Sequence, residues 1–316
     1  MQPAQADSFA LSGAHKSPVN QVGFAKSSPK LASSCASAVV VWDTTQFRQL
    51  TSARHAGLVQ CLQWDPSSDR IATQSRADKT LKLWDLLAKR ENAMIISTEK
   101  VEQCTALCWR PDSSQVLVKG ERAVGVFDLK MPKQLLIKRE FEYAINDAQF
   151  SPCGKEILLA NGLGEIEFIE SESLTTTGKL VAHSRQAMVV RSTPTRMVTG
   201  GDDSIVQVWD RGDLSSLFTL DALMSRIKHL AVFGEKWLAA SADKTIQVVD
   251  LPSGRVVLSP SNSTGEEITS LAMDTRPSTT ATMLAYSTLS SPEVTIQHVS
   301  EGVFERVALA QAKQSW

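Results

Sequence analysis

A Trp-Asp pair recurs along this chain at a nearly constant stride, and that period limits what the chain can fold into more than any other feature. Copies stand at Trp42-Asp43, Trp84-Asp85 and Trp209-Asp210, with worn versions at Phe127-Asp128 and Val249-Asp250. Steps between neighbouring copies are 42 residues (42 to 84), 43 (84 to 127) and 40 (209 to 249). A unit of about 40 to 45 residues is too short to enclose a core but long enough for four short strands, so each copy must bury its apolar face against the next. Dividing 316 residues by that stride leaves about seven units, better read as one closed domain than as two separate ones.

A second marker recurs upstream of each pair. VNQVGF, VQCLQW, CTALCW and INDAQF alternate apolar and polar residues and end on Phe24, Trp64, Trp109 and Phe150, each just before a turn built from Pro, Ser, Asp or Gly. The marker continues near Arg191 and at Val232 and Met273, which makes seven copies. Alternation means half-buried strands, and proline or short polar side chains that bond their own backbone make the reversals. Behind each turn come a second and a third apolar run, for instance RIATQS and KTLKLWD, and a fourth strand precedes the next loop. The expected fold is all-β, a seven-bladed β-propeller over residues 8–303 with tails at 1–7 and 304–316. Ser8 to Ala14 leads into Ala14-His15 as an outer strand leads into its loop. This segment is expected to complete the last blade and close the ring, which removes the open edge at the junction.

Charge is nearly balanced, 33 Lys and Arg against 34 Asp and Glu, for a formal net charge of -1. No long-range field draws the whole molecule to nucleic acid or an anionic membrane, so RNA contact is expected to be weak or indirect. The five cysteines, Cys35, Cys61, Cys104, Cys108 and Cys153, are scattered and odd in number, as suits reduced thiols in cytosol or nucleus. The first residues lack the apolar core of a secretory signal, and no stretch approaches the ~18 apolar residues of a membrane helix. A soluble intracellular protein is expected.

His183, Thr199, Asp203 and Trp209 have the order and spacing of a hydrogen-bonded relay, and His55, Thr73, Asp78 and Trp84 repeat it with one extra residue, Ala77, before the aspartate. A hydrolytic triad is the competing reading. The hydroxyl, however, is expected within a buried strand, with no room to attack a substrate, so the set reads as structural, pairing polar groups that would otherwise be orphaned. Other blades keep only part of it, such as His15 and Trp42 in the first, and are expected to rely on apolar packing. Cys104 and Cys108 read as core thiols on one sheet face, because no histidine or second cysteine pair accompanies them as a metal site would need. His229 and His298 stand singly, and Gly162-Leu163-Gly164 is a strand-to-strand turn that lacks the third glycine of a phosphate loop. No catalytic residue, cofactor, metal or small-molecule substrate is expected. Lys130, Lys133, Lys138 and Arg139 form a basic stretch, and Glu165, Glu167, Glu170 and Glu172 an acidic one a repeat later. Charge on an outer strand keeps it solvated and resists edge pairing. The basic stretch is also the candidate docking patch for a protein partner.

These motifs resemble the WD40 repeat family, and over roughly residues 13–300 the chain is most similar to the THO complex subunit 3 family within it. The most particular stretch is FEYAINDAQFSPCGKEILLANGLGEIEFIE, residues 141–170, with its Phe-led strand, its Asn-Gly after the second strand and a third strand without Trp-Asp. The order of intact and worn blades is also similar, with SADKTIQVVD in blade six and VWD and LWD in the early blades. The resemblance implies a non-catalytic nuclear scaffold, partnered by the other protein subunits of a THO/TREX assembly that couples transcription to mRNA processing and export. Ala14-His15 and Ala182-His183 depart from the commoner Gly-His, and SSPEV makes a long connection in blade seven. Two rival readings remain. One is an adaptor or reader of another nuclear complex, a histone-tail binder or ubiquitin-ligase substrate receptor that holds a peptide side chain in the central opening. The other is an enzyme with catalytic groups in the channel.

Overall fold

A computed structural model of the protein describes residues 8–67, 70–75, 77, 79–85, 94–101, 104–130, 135–221, 223–259, 265–274, 276 and 281–300. Among them are seven antiparallel sheets of four strands each and no helix. The innermost strands of blades one to seven are Gln21–Phe24, Val59–Trp64, Ala106–Trp109, Ile145–Phe150, Ala187–Ser192, Ile227–Phe233 and Ile268–Met273. Each packs against the next, and the seventh returns to the first, so the array is a closed seven-bladed β-propeller. In the last blade Ser8–Leu11 is the outer strand, antiparallel to Val294–Ser300, with Ser8 opposite Gln297 and Leu11 opposite Val294. Beginning and end of the described chain thus share one sheet. Residues 1–7 and 304–316, expected as tails, lie outside the described residues.

Buried apolar side chains form seven clusters, one at each junction between neighbouring blades. Trp64 of blade two packs with Ala32, Val39 and Val41 of blade one, and Trp209 of blade five with Leu158, Ile166 and Phe168 of blade four. Strand alternation causes this, because successive side chains point to the preceding and the following blade in turn. Fully burying one such side chain stabilises by about 1.5–3 kcal/mol. A blade gains that energy only while both neighbours are in place, which makes the ring cooperative.

Trp-Asp and its worn copies end the third strand of the blades that carry them. The aspartate caps the turn that follows its strand: Asp43 accepts from the Thr45 amide at 2.7 Å, Asp128 from that of Lys130 at 2.7 Å, Asp210 from that of Gly212 at 2.7 Å and Asp250 from that of Ser253 at 3.0 Å. These turns share one rim of the ring with those between first and second strands. The opposite rim holds the loops between blades and the turns between second and third strands, and we refer to it as the histidine rim.

Cys104 and Cys108 depart from the expected arrangement. Cys104 and Cys108 do not share a sheet face, because the strand begins only at Ala106 and alternation does not extend back to Cys104. Cys104 packs with Cys61 between blades two and three, whereas Cys108 meets blade four and takes a hydrogen bond from the Phe150 amide at 3.3 Å.

Candidate functional site

In blade five the second strand, Arg196–Gly201, carries Thr199 between blades four and five, and the loop before the first strand carries His183 on the histidine rim. His183 Nδ1 lies 3.0 Å from Asp203 Oδ1 and its Nε2 2.9 Å from Thr199 Oγ1, while the Trp209 indole N–H donates to that hydroxyl at 3.1 Å. One assignment satisfies all three contacts. Neutral His183 donates from Nδ1 to the carboxylate and accepts the threonine O–H at Nε2, and the threonine oxygen accepts the indole N–H. Asp203 also takes the Ser184 amide at 3.0 Å and the Ile205 amide at 3.2 Å, which fixes the loop between blades. With the hydroxyl fully buried and bonded on both sides, the chemistry available is bracing, not attack.

Blade two brings together His55, Thr73 and Trp84 in the same way, at 2.6 Å for the imidazole–hydroxyl contact and 2.7 Å for the indole; Asp78 lies outside the described residues. Blade one has a version that sequence reading missed, because Ser33 stands where threonine does elsewhere. His15 Nε2 is 2.7 Å from Ser33 Oγ, and Trp42 donates to the same oxygen at 2.8 Å. The signal was there, since 18 residues separate His15 from Ser33 and His55 from Thr73 alike. No aspartate follows in the short turn Cys35-Ala36-Ser37, and His15 Nδ1 is buried without a partner among the described residues. Blade four replaces the whole set with apolar residues, Phe141, Leu159 and Ile169, all in the cluster between blades three and four. Exchanging every partner at once leaves no orphaned polar atom, which is why such a swap is tolerated. We expect Asp203→Ala to destabilise by more than about 1 kcal/mol, since His183 Nδ1–H and two amides lose their acceptor. An unchanged urea midpoint would remove the brace from blade five.

A second set of contacts, not visible in the repeat pattern, closes the inner wall. Neighbouring innermost strands diverge too far to form a ladder, and side chains bridge them instead. Gln21 accepts from the Leu62 amide at 2.6 Å, Gln63 from that of Trp109 at 3.1 Å, Asp147 from that of Val190 at 3.1 Å, and Ser270 from that of Val22 at 3.1 Å. Arg191 pairs with Asp147 on one side and donates from Nε to the Leu230 carbonyl at 3.1 Å on the other, linking blades four, five and six. Buried Lys119 of blade three donates to the Asn146 carbonyl of blade four at 3.2 Å, and burial lowers its pKa.

Buried imidazoles make the ring sensitive to acid. Burial pushes His15 from 6.5 down to about 4, and burial with the nearby Arg191 charge does the same to His229. Burial also lowers His183, with Asp203 opposing it. A histidine whose folded pKa lies below its unfolded value binds more protons when unfolded, so stability is present above pH 6.5 and is lost as pH falls through the window toward about 4. Unfolding free energies from urea titration at pH 7 and pH 5 should differ by on the order of 2 kcal/mol, with the loss reduced in His15→Gln. Equal values would contradict the burial of these rings.

The basic stretch divides. Lys138 pairs with the exposed Glu140 at 2.6 Å, and Lys133 lies outside the described residues. Lys130 adjoins the turn that Asp128 caps. Arg139, expected to face solvent, instead turns inward to Glu167, at 3.3 Å. Glu167 in turn is not on an outer strand. It belongs to the third strand of blade four, Glu165–Glu170, and its side chain is fully buried among Arg139, the Tyr143 hydroxyl and Thr176. The alternation of glutamates in EIEFIE looked solvated because the partners that cover the middle one, Arg139 of the preceding blade with Tyr143 and Thr176 of its own, are not marked by the strand's own pattern. Among the described residues no group of three or more His, Cys, Asp or Glu could hold a metal ion.

A family model described as WD domain, G-beta repeat, matches residues 47–85, the outer strand of blade one and three strands of blade two. Sequence repeat and blade are thus offset by one strand, the same offset that lets Ser8–Leu11 close the ring. The chain is a seven-bladed β-propeller with a WD40 repeat matched at residues 47–85. It is similar to THO complex subunit 3 of Arabidopsis thaliana, 28% identical over 257 residues that span 77% of this chain and 79% of that protein. A shorter likeness joins it to EARP and GARP complex-interacting protein 1 of Rattus norvegicus, 26% identical over 173 residues, 51% of this chain and 45% of that one. Among solved structures, the β-propeller domain of Cps50 (Swd1) from Myceliophteria thermophila superposes with a TM-score of 0.76, covering 93% of this chain and 100% of that one at 15% identity. That likeness speaks to the fold alone.

Proposed function

We propose that this propeller is a non-catalytic scaffold subunit of a nuclear THO/TREX-type complex, which couples transcription to mRNA processing and export. The observation that carries the reading is the span of the likeness to THO complex subunit 3. It covers 79% of that protein at 28% identity, against 45% of EARP and GARP complex-interacting protein 1 at 26%. Local chemistry agrees with a scaffold. The histidines, hydroxyls and aspartates that resemble catalytic sets are buried and bonded to one another, and the polar side chains of the inner wall bridge neighbouring strands. Its mechanism is rigid display, in which closed blades hold many loops in fixed relation and little ordering entropy is lost when a partner binds. Partners are the other protein subunits, and RNA contact is weak or indirect.

Affinity purification of the tagged protein from nuclear extract after nuclease treatment tests this. A stoichiometric assembly containing THO subunits is the expected result. Recovery of chromatin modifiers or a ubiquitin ligase in its place would favour the adaptor or reader class. RNA binding by the isolated chain should be weak at physiological salt, and submicromolar affinity would contradict the near-neutral charge.

A further inference from the structure

Each innermost strand is entered through a buried residue, and the residue two positions on turns toward the entry residue of the next blade. A register shift separates the two, between Val59 and Cys61 in blade two and between Ile227 and His229 in blade six. Contacts across the junctions show the relation. Val189 of blade five and Ile227 of blade six share one apolar cluster and both lie against Gly200, and His229 of blade six bonds to the Ile268 backbone of blade seven. Between blades two and three the same two positions hold Cys61 and Cys104. Both are free thiols buried in one cluster, and Cys104 shares a hydrogen bond with Cys61. Cys108 faces blade four instead, where its sulfur takes the Phe150 amide, and Cys153 lies exposed beside Ser151.

We infer that Cys61 and Cys104 form an oxidation site, at which a hydroperoxide converts the two thiols to a disulfide that fastens blade two to blade three. Cys104 is the side that an oxidant reaches first, because it lies in the loop entering blade three, next to the exposed Thr105. Lys119 stands near both sulfurs with its ammonium on the Asn146 carbonyl, and its charge favours the Cys104 thiolate. The bond to Cys61 and burial act the other way and push the Cys104 thiol up, so the reduced pair persists at rest and reacts when the loop opens. With hydrogen peroxide, the Cys104 sulfur takes one oxygen as the O–O bond breaks, giving a sulfenic acid and one water. The Cys61 sulfur then attacks, the S–S bond forms as the S–O bond breaks, and a second water leaves. Two thiols lose two electrons and two protons, and one peroxide becomes two waters. Cys61 and Cys104 are 43 residues apart, so the link closes a long loop and restricts the unfolded chain. It depends on how the blades pack and not on any partner.

Full-length chain, reduced and then treated with hydrogen peroxide without denaturant, tests this when alkylated, digested without reductant and read by mass spectrometry. A pair of peptides joined through Cys61 and Cys104 is expected, and dithiothreitol should release it. The urea midpoint should rise by at least about 0.5 M on oxidation and return on reduction. Cys104→Val and Cys61→Ala should each abolish link and shift while unfolding cooperatively, because Val59 and Ala106 hold those positions in adjoining blades. Cys153→Ser should keep both. Oxidation confined to Cys153, a link through Cys108, a Cys61–Cys104 link that forms only in urea, or a linked chain with an unchanged midpoint would each overturn the inference.

Discussion

Removing residues 1–11 should destabilise the protein by about 4 kcal/mol or abolish its cooperative unfolding. Ser8–Leu11 supplies the outer strand of blade seven, and its loss takes four residues of antiparallel pairing with it. Leu11 is buried in the cluster that joins blades seven and one, and Phe9 packs on the same cluster, edge-on to Phe47 with ring centroids 4.3 Å apart. Burial of Leu11 alone is worth about 2 kcal/mol, and partial burial of Phe9 adds to it. The exposed Val294–Ser300 edge would then invite pairing with another chain, so the truncated protein should also associate. Urea titration and light scattering read the two effects. A truncated chain that stays monomeric with the full-length midpoint would mean that the ring closes without this strand.

Glu167→Ala should cost about 3 to 4 kcal/mol, because it breaks a buried ion pair from one side. The side chain is fully covered, and the substitution removes the anionic partner of Arg139, which keeps the Leu174 carbonyl and the Thr176 hydroxyl, both at 2.8 Å, and the Phe141 ring at 4.5 Å. The Tyr143 hydroxyl, whose pKa burial and its bond to Glu167 push up, loses its acceptor. Lys179 keeps Glu165 at 3.3 Å and should matter less. Glu167→Gln retains an acceptor oxygen and should fall between wild type and alanine. The arrangement ties the outer strand of blade three to blade four, where the apolar set Phe141, Leu159 and Ile169 leaves no relay to do so. Stability within about 0.5 kcal/mol of wild type in Glu167→Ala would show that the carboxylate is not confined by these partners.

Much of this fold was legible in the chain because a repeat makes its own alignment. Trp42, Trp84 and Trp209 set the stride, alternation in VQCLQW and INDAQF set the strand faces, and Ala14-His15 showed where an outer strand had to come from the other end. The relay members of blades two and five could be listed from spacing alone. What the pattern hid depends on contacts between strands and loops that one strand's alternation does not record. Glu167 reads as solvated until Arg139 and Tyr143 are seen to cover it, and Ser33 reads as an ordinary strand serine until Trp42 and His15 converge on it. Gln21, Gln63 and Asp147 bridge innermost strands about forty residues apart in sequence, a relation that periodicity within one blade cannot express. Surface chemistry was least legible, since Arg185, Asp202 and Arg226 meet only through the loops that position them.

The polar sets act as single braces that run through a neutral imidazole. A thermodynamic cycle with Thr199→Val, Asp203→Asn and the double variant tests it most directly, because these side chains meet only through His183. Urea unfolding at neutral pH should give a coupling of roughly 1 to 2 kcal/mol between the two substitutions. Additive effects, within about 0.5 kcal/mol, would contradict it.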